Sequence, residues 1–257
     1  MTMVETQPGL GIDEHEPDPI GNLIIISGAT ASGKTTVTQR LIESSALPME
    51  RIVTMTTRDP RTKDEEGYDF VSKEKFENTP LVAPKKYGKN FYGTPTKKLR
   101  DIFFGTNLIW NIDLSQLSHL DTIFRDAFSP EEATKLLAHT TIIVVSAPSH
   151  FYVEHKKRFV ERAGKESTSD FAKRIRADAA SLRDIQAQHM PLITHTPQHL
   201  EDTLGRLKQE KAIHPLQPIV NVVINEEGKL AETVAVVRQI IQATESKGHT
   251  PPDQQAQ

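Results

Sequence analysis

The chain has 257 residues, 37% of them hydrophobic, and 31 Lys and Arg stand against 34 Asp and Glu for a formal net charge of -3. That length and apolar content suffice for a sizeable core in one elaborated domain, and the near-balanced charge excludes a global attraction to nucleic acid or to an anionic membrane. The absence of cysteine excludes disulfides, thiolate metal sites and cysteine nucleophiles, and with no apolar run near bilayer length and an acidic N-terminus the expected compartment is the cytoplasm.

Residues 1–19 are polar and proline-containing and carry Asp13, Glu14, Glu16 and Asp18. Such a segment buries too little to offset its ordering entropy, so a disordered acidic tail is expected. Residues 23–26, L-I-I-I, read as a buried strand, residues 28–35 read G-A-T-A-S-G-K-T, and Val37, Leu41 and Ile42 follow at helical spacing. A chance glycine turn is the plain alternative, but strand, loop and helix supply the context that a phosphate-binding P-loop requires. Gly28 and Gly33 can take backbone angles closed to other residues, so that the N–H groups from Ala29 through Ser32, including Thr30 and Ala31, turn inward around phosphate oxygens. Lys34 would bridge the β- and γ-phosphates, Thr35 would offer a hydroxyl to Mg2+, and Thr36 completes the first helical turn, whose positive end faces the anion. A bound nucleoside triphosphate is implied.

Further on, 52–56, 108–112, 141–145 and 219–224 are compact β-rich runs separated by longer amphipathic stretches. This alternation predicts an α/β layered fold, a parallel sheet flanked by crossover helices. Residues 57–95, rich in Gly, Lys, Asp and aromatics, break the alternation and suit a small subdomain over the phosphate site. A second interruption, 186–218, is a long polar connection bounded by prolines, and it reads as an insertion with its own helix at 198–211. Its histidines, His189, His195 and His199, have no acidic or cysteine partner that completes a metal set. Leu230, Val234, Val237 and Ile241 define a final helical stripe after the turn at 225–228. One domain over 20–244 is expected, followed by a tail over 245–257.

The informative run after the loop is T-M-T-T-R-D-P-R at 54–61, then G-Y-D-F-V-S at 67–72, N-F-Y-G-T at 90–94 and N-I-D at 111–113. In order and spacing these motifs resemble the guanylate kinase family of P-loop nucleoside monophosphate kinases. The resemblance is close over 22–113, weakens, and resumes through the lid and the final strand and helix. It implies a small NMP-binding subdomain (57–95) and a helical lid (156–176). It also implies that Arg58 and Arg61 grip the acceptor phosphate with planar forks, that the hydroxyls of Tyr68 and Tyr92 complete that cradle, that Thr54 and Thr94 hydrogen-bond the O6 side of guanine, and that Asp113 faces the base's N–H donors. Arg158, Arg162, Lys165 and Arg174, around 164–169, match the lid whose arginines close over the triphosphate; Arg162 and Arg174 are the ones expected to act with Lys34 and Arg58 on the transferring group.

Two departures bear on the acceptor. Residues 81–87, L-V-A-P-K-K-Y, lack the carboxylate that the family places for guanine N1 and N2, and Asn111 replaces an acid near the metal. The implied reaction is transfer from ATP, with Mg2+, to GMP or dGMP in purine nucleotide metabolism, by a monomer or homodimer without nucleic-acid or membrane partners. A kinase of another phosphorylated acceptor, such as ribose bisphosphate, is the alternative enzyme. A non-catalytic guanylate-kinase-like binding module is the alternative from another class, and the intact G-K-T argues against it.

Overall fold

Six parallel strands form the central sheet in the order β2-β7-β1-β8-β10-β9: β1 (Leu23–Gly28), β2 (Met49–Arg51), β7 (Asn107–Asn111), β8 (Thr140–Ser146), β9 (Leu192–His195) and β10 (Val220–Ile224). The computed structural model describes residues 20–44, 48–60, 63, 65–146, 168–188, 190–196, 200–214, 217–226 and 228–245. The near-continuous apolar runs in β1 and β8 are what a parallel sheet covered on both faces requires. Because side chains alternate, Leu23 and Ile25 enter one core cluster with Trp110, Phe124, Leu136 and Val144, while Ile24 and Ile26 enter another with Val37, Leu41, Val145 and Val237.

The first cluster is covered by α4 (Leu120–Ala127), α5 (Pro130–Ala138) and Ile185 of α6 (Thr168–Ala187). The second is covered by α1 (Lys34–Ser44), α7 (Leu200–Ile213) and α8 (Leu230–Glu245), whose expected stripe is there: Val234, Val237 and Ile241 are buried and Leu230 packs beside them. Since every strand runs the same way, the loops after β1, β7 and β10 open at one edge. Ligands of open α/β sheets bind outside such carboxyl ends.

A second sheet, β4-β3-β6-β5, is built from β3 (Thr54–Thr56), β4 (Tyr68–Phe70), β5 (Leu81–Tyr87) and β6 (Asn90–Pro95). Between its strands lies α2 (Lys73–Glu77), capped by Ser72, whose side chain accepts from Lys75 N, and after them α3 (Thr96–Arg100). Of the strand expected over 52–56 only Thr54–Thr56 is a strand, β3 of the small sheet, while β2 of the central sheet ends at Arg51. At the crossing, Ile52 is buried and its N–H donates to Ile109 O at 2.8 Å, while Val53 is exposed, so the chain leaves the central sheet within two residues.

Residues 186–218 carry their helix at Leu200–Ile213 and also supply β9, which pairs with β10 and completes the central sheet's edge. Residues 1–19, most of the expected lid (156–176) and 246–257 lie outside the described residues.

Candidate active site

The loop after β1 is shaped by two glycines that nothing else could replace. Gly28 has φ +146, and a Cβ there would lie 2.0 Å from Val145 O. Gly33 has φ +93, and its Cβ would meet Asn225 Nδ2 at 2.6 Å. Asn225, buried just past β10, donates from Nδ2 to Ser32 O at 2.8 Å and accepts from Thr233 Oγ1 at 3.1 Å, so the last strand and helix brace the loop. Ala31 sits in the left-handed region with φ +64. Lys34 Nζ donates to Gly28 O and Ala29 O at 2.6 and 2.7 Å, which folds the ammonium over its own loop. The buried Ser32 hydroxyl has no hydrogen-bond partner among the described residues, and Thr35 and Thr36 are exposed on the first turn of α1. Opposite them, Asp178 of α6 accepts from Thr30 N at 2.8 Å.

Beside the loop, Asn111 at the end of β7 accepts from Thr38 Oγ1 at 3.1 Å, and Ser27 Oγ donates to Ile112 O at 3.0 Å. Asp113 caps the short 3-10 turn Leu114–His119, with Gln116 completing a capping box. Its Oδ1 accepts from Ser115 N at 3.0 Å and Ser115 Oγ at 2.6 Å and pairs with Lys85 Nζ at 2.9 Å. Burial pushes this carboxyl up, but the hydrogen bonds from Ser115 and Lys85 outweigh it and hold it below the usual carboxylate range. The residue expected to face a base is thus an ionised member of an ion pair, and each of these contacts falls on one oxygen.

On the small sheet, Arg58 follows β3 and is nearly buried. Its Nη1 and Nη2 donate to the two oxygens of Glu65 at 2.9 and 2.6 Å, and Nη1 also donates to Asp59 O at 2.9 Å. The guanidinium carbon lies 4.7 Å from the Tyr68 ring centre and 5.0 Å from that of Phe70, and Tyr68 meets Tyr92 edge-on at 6.3 Å. The bond to Glu65 raises the Arg58 pKa against the desolvation that would lower it. Three of the four residues expected to hold an acceptor phosphate are therefore one cluster; the fourth, Arg61, lies outside the described residues.

Thr54 pairs in register with Tyr68. Thr94 is buried and accepts from Trp110 Nε1 at 2.8 Å, which ties the small sheet to β7. In β5, Val82 opposite Thr94 is fully buried, and Ala83 has φ +54 where the register shifts. Arg174 of α6 stacks its guanidinium carbon 5.3 Å from the ring centre of Tyr87, so α6 touches the loop through Asp178 and the β5–β6 hairpin through Arg174. Arg158, Arg162 and Lys165 lie outside the described residues, as do His189 and His199. His195 is a core residue, its Nε2 2.8 Å from Asn221 Oδ1. Asp178, Asn225 and Trp110 were not legible in the sequence because each bonds a partner distant along the chain, and Glu65 because no local pattern marks it as the partner of Arg58.

A family model described as guanylate kinase matches residues 20–210. The chain belongs to the guanylate kinase family. Among relatives named guanylate kinase, that of Ehrlichia canis is 30% identical over 168 residues, 62% of this chain and 72% of the relative. That of an onion yellows phytoplasma is 28% identical over 54% of this chain and 77% of the relative. The match to the guanylate kinase of Latilactobacillus sakei, 42% identical, spans 30% of this chain and only 41% of that protein. A solved guanylate kinase from Anaplasma phagocytophilum superposes with a TM-score of 0.50 at 19% identity, covering 90% of this chain and 89% of that one, and so shares the fold.

Proposed function

We propose that this guanylate kinase family member transfers the γ-phosphoryl group of ATP to GMP or dGMP, giving ADP and GDP or dGDP. The observation that carries the reading is the pairing of an intact phosphate loop at the carboxyl edge of β1 with the ring-covered Arg58 cluster on a separate small sheet. One site holds the donor and the other the acceptor, and phosphoryl transfer needs little from protein beyond positioning and neutralisation of developing charge.

In this reading Gly28 to Thr36 hold the triphosphate, the Ser32 hydroxyl finds a partner on it, and Lys34 leaves the loop carbonyls for the transferring group. Arg58, Arg61, Tyr68 and Tyr92 hold the acceptor phosphate, Thr54, Thr94 and Asp113 face the base, and Arg162 and Arg174 neutralise charge from the lid. Among the described residues no group of three His, Cys, Asp or Glu side chains could hold a metal unaided. Exposed Thr35 fits a Mg2+ that is held mainly by phosphates and water, the usual arrangement for that ion, and the metal would offset charge on the transferred group. No general base is needed, because a nucleoside monophosphate oxygen is already anionic at neutral pH. Reliance on ATP supports a cytoplasmic setting; no helix among the described residues is long and apolar enough to cross a membrane.

The family match does not favour the ribose bisphosphate kinase or the non-catalytic module. An ADP-release assay over the common nucleoside monophosphates tests the proposal. GMP and dGMP should give the highest kcat/KM, and turnover of none of them would reject it.

A further inference from the structure

A guanidinium fork recognises a carboxylate and a phosphate by the same two parallel N–H···O bonds. Arg58 spends that fork inside the molecule: Nη1 and Nη2 reach the two oxygens of Glu65 at 2.9 and 2.6 Å, with the side chains only 8% and 17% exposed. The rings of Tyr68 and Phe70 cover the guanidinium, which leaves little room for a second anion beside the first. The chain turns just past Glu65. Two residues on, Gly67 turns with φ +88 against Arg51, whose Nη2 would lie 2.6 Å from any Cβ, and the chain then enters β4 at Tyr68.

We propose that Glu65 is a resident anion of the acceptor-phosphate site, occupying the Arg58 fork until the acceptor's phosphate displaces it. This rests on the reading that Arg58 grips that phosphate. The pair is neutral as it stands, so an incoming phosphate meets no net positive charge from Arg58 until the carboxylate leaves. Acceptor binding is an exchange of anions, and its affinity is lowered by what Glu65 loses. ATP, held by the loop after β1, does not meet this competition.

The test is titration calorimetry on the full chain carrying Glu65→Gln or Glu65→Ala, with GMP, ATP and inorganic phosphate as separate probes. Both variants should bind GMP and inorganic phosphate about tenfold more tightly than wild type, the scale of one lost charged hydrogen bond, with ATP binding unchanged. Unchanged or weaker binding of GMP and phosphate would overturn the proposal and make Glu65 a support for Arg58. If neither variant folds, Glu65→Asp decides, since its shorter carboxylate strains the two-point contact: tighter phosphate binding supports the exchange, and equal or weaker binding refutes it. Should wild type fail to phosphorylate GMP while the variants still gain affinity for inorganic phosphate, the proposed reaction falls and the exchange stands. Should GMP be turned over and no variant gain affinity, only the exchange falls.

Discussion

Replacing Asn225 should damage ATP binding although the residue belongs to neither the loop nor its helix. Its amide donates to Ser32 O at 2.8 Å and its oxygen accepts from Thr233 Oγ1 at 3.1 Å, in a position only 9% exposed. In Asn225→Ala, the Thr233 hydroxyl keeps its bond to Lys229 O at 3.0 Å, so the group left orphaned is the Ser32 carbonyl. An unsatisfied buried acceptor costs about 1–3 kcal/mol. For a chain of this size, 2 kcal/mol corresponds to a fall in Tm of about 4–8 °C. The decisive variant is Asn225→Asp, nearly equal in shape. It keeps the bond from Thr233 but turns a carboxylate oxygen towards Ser32 O, and it adds negative charge beside the loop that must hold a triphosphate. Two unit charges 4 Å apart repel by about 1 kcal/mol even in water, and by more where water is excluded. ATP binding, measured calorimetrically without acceptor, should weaken about tenfold in Asn225→Ala and further in Asn225→Asp, while GMP binding stays at the wild-type value. If Asn225→Asp bound ATP as tightly as wild type, the bracing role given to Asn225 would be wrong.

Lys34→Ala should reduce turnover on the order of a thousandfold, because a charge-assisted contact to the transferring group is lost; the loss of its bonds to Gly28 O and Ala29 O should cost only about 1 kcal/mol of stability by denaturant titration. Trp110→Phe removes the donor that occupies Thr94 Oγ1 and leaves a gap against Phe124. Stability should fall by about 2 kcal/mol, and the ratio of kcat/KM for GMP over AMP should narrow, since the Thr94 proton is no longer directed by the indole; an unchanged ratio would separate Thr94 from base reading. Burial lowers the pKa of His195 below its ordinary 6.5, with the bond to Asn221 opposing and Arg206 adding to the shift. The fold therefore favours the neutral ring, so its stability contribution is fully present above pH 6.5 and is lost as the pH falls through the lowered value. Denaturant midpoints should drop from pH 7.5 to pH 5, and His195→Gln should flatten that slope; an equal slope in the variant would assign the effect to other groups, such as His139, whose pKa burial and Lys211 also lower.

Although β2 is only M-E-R, β1, β7, β8 and β10 of the central sheet were legible because they are apolar runs that announce burial on both faces, and the final helix because Val234 and Val237 keep helical spacing. β9 was not. Its four residues L-I-T-H carry a polar pair and owe their place to pairing with β10 and to the His195–Asn221 bond, a contact no local pattern encodes. The break within 52–56 was equally hidden, since the apolar pattern runs through Ile52 and Val53 while the sheet changes beneath it. In the candidate site, Gly28, Gly33, Arg58, Tyr68 and Tyr92 could be singled out because the loop motif or the family resemblance assigns each residue type a task at a fixed spacing. Asp113 was readable as a carboxylate, but its pairing with Lys85 joins β5 to the turn after β7 and depends on the folded chain. The missing acid in β5 is a change of environment as well as of charge: Val82 lies in the core and Ala83 holds a left-handed backbone, so neither position presents a side chain as an ordinary strand residue would.

The bond from Asn225 to Ser32 joins residues 193 positions apart. During synthesis at about 5–20 residues per second, roughly 10–40 s separate the emergence of the loop from that of its brace. Nor can β1 assemble early, since its neighbours β7 and β8 also arrive late, at residues 107 and 140. A growing chain thus carries a complete phosphate-loop motif long before it carries a braced one. Nascent chains that end before β10 should consequently gain little protection from ATP against proteolysis, and the gain should appear as a step once residue 225 has cleared the ribosome.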